Sequence, residues 1–180
     1  MKFLLIAGFS DSLITFRKPL IVALLNKGLK IHVAAPELLS NLPVMSELSA
    51  LGVIAHDIPM QRTGMNPFSD LRSLFSMWQL MQKIKPDYVL GYTIKPVIYG
   101  NIAAWLARVP QRFALITGLG FAFINEENNQ RSRIRAVVQG LYRTALRHCQ
   151  KVFFQNPDDK ALFKQLNIIS ANTKTCVVNG

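Results

Sequence analysis

The 180-residue chain is 50% hydrophobic and carries 21 Lys and Arg against 10 Asp and Glu, a formal net charge of +11. That much apolar material excludes intrinsic disorder, and no uninterrupted apolar run of about 18 residues reads as a membrane-spanning helix. The basic excess favours an anionic partner (a phosphorylated ligand, an anionic membrane or nucleic acid) without choosing among them.

The chain opens on Met1 and Lys2 and an apolar run to Gly8. The run enters Ser10-Asp11-Ser12 without a convincing small-residue cleavage site, so a buried first strand over Lys2–Gly8 is expected rather than a signal peptide, and a cytoplasmic protein with it. A helix over Phe16–Lys27 follows and ends at Gly28; a strand over Lys30–Ala35 leads to a helix over Leu42–Leu51 that ends at Gly52. A strand over Val53–Ile58 precedes the longest helix, Ser69–Lys85, where Leu71, Leu74, Phe75, Trp78, Met81 and Ile84 recur at helical spacing up to Pro86. The alternation continues with a strand over Asp87–Tyr92, a helix over Pro96–Arg108 and a strand over Arg112–Thr117. It closes with a helix over Ser132–His148, a strand over Lys151–Gln155, a helix over Pro157–Leu166 and a strand over Lys174–Val178.

Such regular alternation predicts one α/β domain over residues 1–180. The expected architecture is Rossmann-like and doubly wound, with a mainly parallel sheet of about seven strands and helices on both faces. Cys149 and Cys176 lie in different elements and His32, His56 and His148 are scattered, so neither a disulfide framework nor a metal site is expected.

Ligands of such sheets bind beyond the carboxyl ends of the strands, where four loops stand out: Gly8–Ser12, Tyr92–Pro96, Thr117–Phe123 and Asn156–Asp159. Gly8-Phe9-Ser10-Asp11-Ser12 is either a tight strand-helix turn or a close approach of backbone to a ligand, with the next helix presenting its N-terminus to an anion. It is neither G-x-G-x-x-G nor a Walker A loop, which argues against NAD. Lys95 is either a point charge for a phosphate oxygen or a solvated lysine. Thr117-Gly118-Leu119-Gly120-Phe121-Ala122-Phe123 is either a packed glycine turn or an apolar lip for a sugar or lipid-linked substrate.

Arg131, Arg133, Arg135, Arg143 and Arg147 fall on roughly one half of a helix, opposite Ile134, Val137, Val138, Leu141 and Ala145. This is a solvated outer face or a surface for anionic lipid headgroups; no stacking platform accompanies it, and nucleic acid is not expected. The carboxylates nearest the strand ends and loops are Asp11, Asp87, Asp158 and Asp159, and no pair of them is spaced for hydrolysis.

Taken in order, Phe16-Arg17-Lys18-Pro19-Leu20, Arg62-Thr63-Gly64-Met65-Asn66-Pro67, Tyr92 to Gly100, Arg112 to Phe121 and Phe154 to Asp159 resemble the N-terminal domain of GT-B retaining glycosyltransferases. The resemblance is to the family-4 type, including bacterial enzymes that act on undecaprenyl-diphosphate-linked glycans in surface polysaccharide or glycoconjugate synthesis. It implies the acceptor-binding half of an enzyme whose donor, a UDP-sugar foremost, is held mainly by a C-terminal domain absent from this chain; the domain itself holds no cofactor. It implies that Gly8, Phe9 and Ser10 lie near the donor diphosphate, and that Arg17, Arg62, Asn66, Thr93, Lys95, Gly118, Leu119 and Gly120 serve the acceptor. It also implies a lipid-linked or oligosaccharide acceptor, work at the inner face of the membrane, and inactivity of this half by itself. Many relatives carry a cleft His where this chain has Thr117-Gly118, so no catalytic base is assigned; in a retaining transfer the departing diphosphate can take the acceptor proton. The alternative is a free-standing, membrane-docking subunit that recruits a separate donor-binding partner.

Overall fold

The computed structural model describes residues 1–61, 64, 66–118 and 129–178, with side chains described from residue 134 onward in the segment that begins at 129. Seven strands appear in chain order: β1 Lys2–Ile6, β2 Lys30–Ala35, β3 Ile54–Asp57, β4 Tyr88–Tyr92, β5 Gln111–Ile116, β6 Lys151–Phe154 and β7 Thr175–Val177. They form one sheet in the order β3-β2-β1-β4-β5-β6-β7, and every neighbouring pair is parallel. The helices are α1 Ser12–Thr15, α2 Lys18–Asn26, α3 Leu42–Ala50, α4 Pro67–Ile84, α5 Asn101–Leu106, α6 Asn129–Arg147 and α7 Pro157–Gln165, with a π-helical turn over Pro96–Gly100 leading into α5.

The central strands β1 and β4 are apolar and almost wholly buried because both sheet faces are covered, whereas the edge strands β3 and β7 are only half-buried. In β1, Phe3 and Leu5 pack with α1–α3, while Leu4 and Ile6 pack with α4 and α5. A third cluster joins Ala114 and Ile116 of β5 to Val138, Tyr142 and Leu146 of α6 and Phe163 of α7. Fully burying one such aliphatic or aromatic side chain contributes about 1.5–3 kcal/mol.

Helix ends follow local chemistry. Gly28 and Gly52 take φ +78° and +70° after α2 and α3, as their sequence positions predict. Asn66 caps α4 by accepting from the Phe68 and Ser69 amides at 3.1 and 3.4 Å, and Asn156 caps α7 by accepting from the Asp158 amide at 2.8 Å.

Three expectations change. The helix expected over Phe16–Lys27 is α2, Lys18–Asn26, and a separate four-residue turn of helix, α1, not expected from sequence, precedes it after the first loop. Four residues align few peptide dipoles, and the anion-attracting N-terminus expected there is weak. The helix expected over Pro96–Arg108 starts as a π-helical turn, across which the buried Asn101 side chain donates to the Val97 carbonyl at 3.0 Å. Gly91 makes room for that turn, since a Cβ there would come within 2.5 Å of the Pro96 carbonyl oxygen.

The third change concerns α6. Its core face is Val138, Tyr142, Ala145 and Leu146, whereas Ile134 and Val137, expected in the core stripe, are exposed. Arg135 is half-buried. Arg143 donates to the Asn167 and Leu166 carbonyls at 2.8 and 3.2 Å and so closes the C-terminal end of α7. The five arginines are therefore not one free basic face. Arg147 is exposed, and the side chains of Arg131 and Arg133 lie outside the described residues. Among the described residues, no helix is long and apolar enough to cross a membrane.

Candidate functional site at the switch point of the sheet

Strand order reverses between β1, which leads outward to β2 and β3, and β4, which the chain reaches by crossing back over the sheet. Neighbouring loops diverge at such a point and open a crevice beyond the carboxyl ends. The β1 loop, Gly8 to Ser12, and the β4 loop, Thr93 to Lys95, meet there.

Gly8 and Thr93 are in near contact: a Cβ on Gly8 would collide with Thr93 Oγ1. Thr93 itself has φ +67°, an unfavourable left-handed conformation for a β-branched residue that persists only where the surroundings impose it. Below the two loops, the Tyr92 hydroxyl and Ser12 Oγ share a hydrogen bond of 2.8 Å, and Ser12 Oγ donates to the Phe9 carbonyl at 2.6 Å. Burial pushes the Tyr92 hydroxyl up to about 12, so it remains protonated. Ser10 is buried and accepts from Asn41 Nδ2 at 2.9 Å, an amide that also donates to Asp11 Oδ1 at 3.2 Å and caps α3.

Arg17 stands at the break between α1 and α2, with its guanidinium carbon 4.9 Å from the centre of the Tyr92 ring. One terminal nitrogen donates to the Phe16 carbonyl at 3.3 Å; among the described residues its buried Nε has no hydrogen-bond partner and the group has no carboxylate partner. Desolvation lowers its pKa below the ordinary arginine value, yet a guanidinium stays charged. The result is a half-buried cation that has no counter-ion among the described residues, beside the reversal of strand order.

Lys95, expected as a phosphate ligand or a solvated lysine, is largely buried in an ion pair. Its ammonium donates to Asp70 Oδ1 of α4 at 2.6 Å, and the Tyr99 hydroxyl donates to Asp70 Oδ2 at 3.0 Å. The Lys95 and Asp70 side chains are only 11% and 6% exposed, so the ion pair is an internal strut from the β4 loop to α4. Asn66 serves as a helix cap rather than pointing to this crevice. Gly118, directly after β5, is exposed with φ +148°. Arg62, Leu119 and Gly120 lie outside the described residues.

The sequence missed Ser12, Tyr92 and Asn41 as parts of the site. Ser12 and Tyr92 lay inside the loops singled out, but their contact spans 80 residues and has no local signature. Asp87 lies at the opposite, amino end of the sheet, where it accepts from the Lys2 amide at 2.6 Å. Asp158 and Asp159 are in the first turn of α7, and burial raises the Asp159 carboxyl. His32 and His56 stack on β2 and β3 with Nδ1 and Nε2 2.9 Å apart; burial and the neighbouring His56 and lysines lower His32 to about 4. Among the described residues, no three or more His, Cys, Asp or Glu side chains are grouped to hold a metal ion.

Residues 4–156 match the family described as glycosyl transferase 4-like. The chain belongs to that family. Among curated relatives it is 27% identical, over 93% of its own length and 43% of the relative's, to N,N'-diacetylbacillosaminyl-diphospho-undecaprenol alpha-1,3-N-acetylgalactosaminyltransferase of Campylobacter jejuni. Over 61% of its length and 27% of the relative's it is 31% identical to UDP-Gal:alpha-D-GlcNAc-diphosphoundecaprenol alpha-1,3-galactosyltransferase of Escherichia coli. The chain thus spans less than half of the relatives it matches. Among solved structures, MurG of Acinetobacter baumannii superposes on 99% of the chain and 45% of its own (TM-score 0.58, 20% identity). UDP-GlcNAc 2-epimerase of Neisseria meningitidis, bound to UDP-GlcNAc, superposes on 98% of the chain and 46% of its own (TM-score 0.60, 19% identity). Likeness at that identity speaks for the Rossmann-like fold alone; the family match separates the two functions.

Proposed function

We propose that residues 1–180 are the acceptor-binding, N-terminal half of a GT-B retaining glycosyltransferase. In this reading the enzyme transfers a sugar from a nucleotide sugar, in the first place a UDP-sugar, to a polyprenyl-diphosphate-linked glycan. The observation that carries the reading is the convergence of Gly8, Ser10, Thr93 and the Arg17 cation at the switch point. A backbone brought close by glycine and a cation with no counter-ion among the described residues suit a diphosphate, the group common to a nucleotide sugar and a lipid-linked acceptor. The names of the two relatives, both acting on diphospho-undecaprenol glycans, support the same acceptor class.

Transfer requires donor and acceptor to be held together in one cleft, so the domain alone is expected to be silent. The test is sugar transfer to a diphospho-undecaprenol-linked acetamido sugar by the polypeptide encoded by the complete reading frame containing these residues. Transfer from a nucleotide sugar, reduced at least tenfold by Arg17→Ala, is the expected result; no transfer from any common nucleotide sugar overturns it.

A lipid-linked acceptor brings the enzyme to an anionic membrane surface, and α4 supports that contact better than α6. Phe68, Leu71 and Phe75 are 85%, 63% and 52% exposed on the side of α4 opposite its buried residues Asp70, Met77 and Met81. Together with a net charge of +11, this apolar strip fits insertion at the headgroup boundary of anionic lipid. Co-sedimentation of the chain with phosphatidylglycerol vesicles is expected to fall roughly tenfold or more in a Phe68→Ser, Phe75→Ser double variant, since each phenylalanine contributes about 1.5–3 kcal/mol when buried. Arg143→Ala is expected to leave binding unchanged. Undiminished binding by the double variant removes α4 from the contact.

A further inference from the structure

A second concavity lies beside the switch point, beyond the carboxyl ends of β2 and β3. Its volume is about 570 Å³, within the range of small-molecule sites, about 300–1,000 Å³. Both of its flanks are tied to the loops of the switch point. Ser40 on one side precedes Asn41, which donates to Ser10; Ser69 on the other precedes Asp70, which holds Lys95.

The chemistry of its wall differs from that of the rest of the chain. Pro36 and Pro59 supply apolar surface, while Glu37, Asp57, Gln61 and Arg72 supply polar groups. Among the described residues its wall carries two carboxylates and one guanidinium, a negative balance in a chain of net charge +11. Among the described residues, the side chains of Glu37 and Arg72 are in no ion pair or hydrogen bond with protein. Asp57 spends one oxygen on the Leu39 amide at 2.9 Å. Glu37 takes φ +54°, a costly conformation for a non-glycine residue, at the rim of the cavity.

Among the described residues of the wall, a phosphate would meet the repulsion of two carboxylates against one guanidinium. A pyranose ring with hydroxyl and acetamido groups meets what it needs. The carboxylates accept from hydroxyl or amide protons, Arg72 and Gln61 donate to hydroxyl or carbonyl oxygens, and the prolines cover an apolar ring face. We infer that this cavity binds a neutral, hydroxyl- and amide-bearing sugar ring and excludes phosphate, leaving the diphosphate to Arg17. That the ring belongs to the acceptor rests on the function proposed above.

The experiment is a two-dimensional amide NMR titration of the 180-residue chain with methyl α-N-acetylglucosaminide and, separately, with inorganic phosphate. The glycoside is expected to shift the Gln61, Ser69 and Arg72 amides saturably, and phosphate to leave them in place. Arg72→Ala, at an exposed position, is expected to weaken the glycoside roughly tenfold, the effect of losing a charged hydrogen-bond partner. Glu37→Gln with Asp57→Asn, which keeps an acceptor for the Leu39 amide, is expected to weaken it similarly and to admit phosphate. Phosphate shifting the same amides in the unaltered chain, or the glycoside leaving them unmoved, overturns the inference. The two readings fail separately. Sugar transfer by the complete polypeptide with an acceptor KM unmoved by Arg72→Ala defeats this inference alone, whereas saturable glycoside binding without any transfer defeats only the proposed reaction.

Discussion

Replacing Asp70 with alanine is expected to lower the stability of the domain by about 3–5 kcal/mol, the usual loss when one partner of a buried ion pair is removed. The carboxylate accepts from Lys95 at 2.6 Å and from Tyr99 at 3.0 Å, and the Lys95 side chain is 11% exposed. Without Asp70 the ammonium has no counter-charge within reach among the described residues. The Tyr99 hydroxyl, held well above its ordinary pKa by burial and then by Asp70, loses its acceptor too. Against a typical total stability of about 5–15 kcal/mol the loss is large. Urea unfolding measures it: Asp70→Ala should shift the midpoint strongly, and Asp70→Asn less, since the amide oxygen still accepts from one donor. A change within about 0.5 kcal/mol for Asp70→Ala would mean that Lys95 reaches water, and the strut would lose its role.

The second large effect concerns the two loops at the switch point. Gly8→Ala places a Cβ against Thr93 Oγ1, and Thr93 has little freedom to withdraw because its backbone is already at φ +67°. Overpacking of this kind costs about 1–3 kcal/mol. In a Thr93→Gly background the obstructing side chain is gone and the left-handed backbone suits glycine, so Gly8→Ala should then cost little. A double-mutant cycle by urea unfolding is expected to give a coupling of at least about 1 kcal/mol, whereas distant positions add within about 0.3–0.5 kcal/mol. Additive effects would mean that the β1 and β4 loops do not share the crevice as described.

The two substitutions mark what could be read locally and what could not. Gly8 and Lys95 both attracted notice from sequence, each at a strand-helix junction. The close approach that Gly8 permits is to the Thr93 side chain of the β4 loop, a contact distant in sequence that the first loop alone does not signal. The partner of Lys95 likewise could not be read locally, because it sits 25 residues earlier on a different helix. Asn66 carried a family resemblance, yet its side chain is occupied in capping α4. On α6, helical spacing placed the arginines correctly on the chain but not against their neighbours. Arg143 finds the end of α7, and Ile134 and Val137 face outward because Val138, Tyr142 and Leu146 fit the sheet better. The arginine-rich segment offered α6 as a solvated face or a lipid surface, while the apolar residues of α4 gave only a helical spacing, and which of them face outward was not legible from it.

What the sequence determined by itself is the architecture: seven strands, the central ones apolar enough to be buried on two faces, separated by helices bounded by glycine, proline and asparagine. Those signals are local, since burial on both faces and helix termination act through a residue's immediate neighbours. The tertiary structure alone decided which charges remain free. Lys95 and Arg143 are consumed by partners 25 and 24 residues away, and Arg17 and Arg72 are left without counter-ions among the described residues. A charge becomes available to a ligand only when folding supplies it no partner, and partners that distant are set by strand order and helix packing rather than by spacing along the chain.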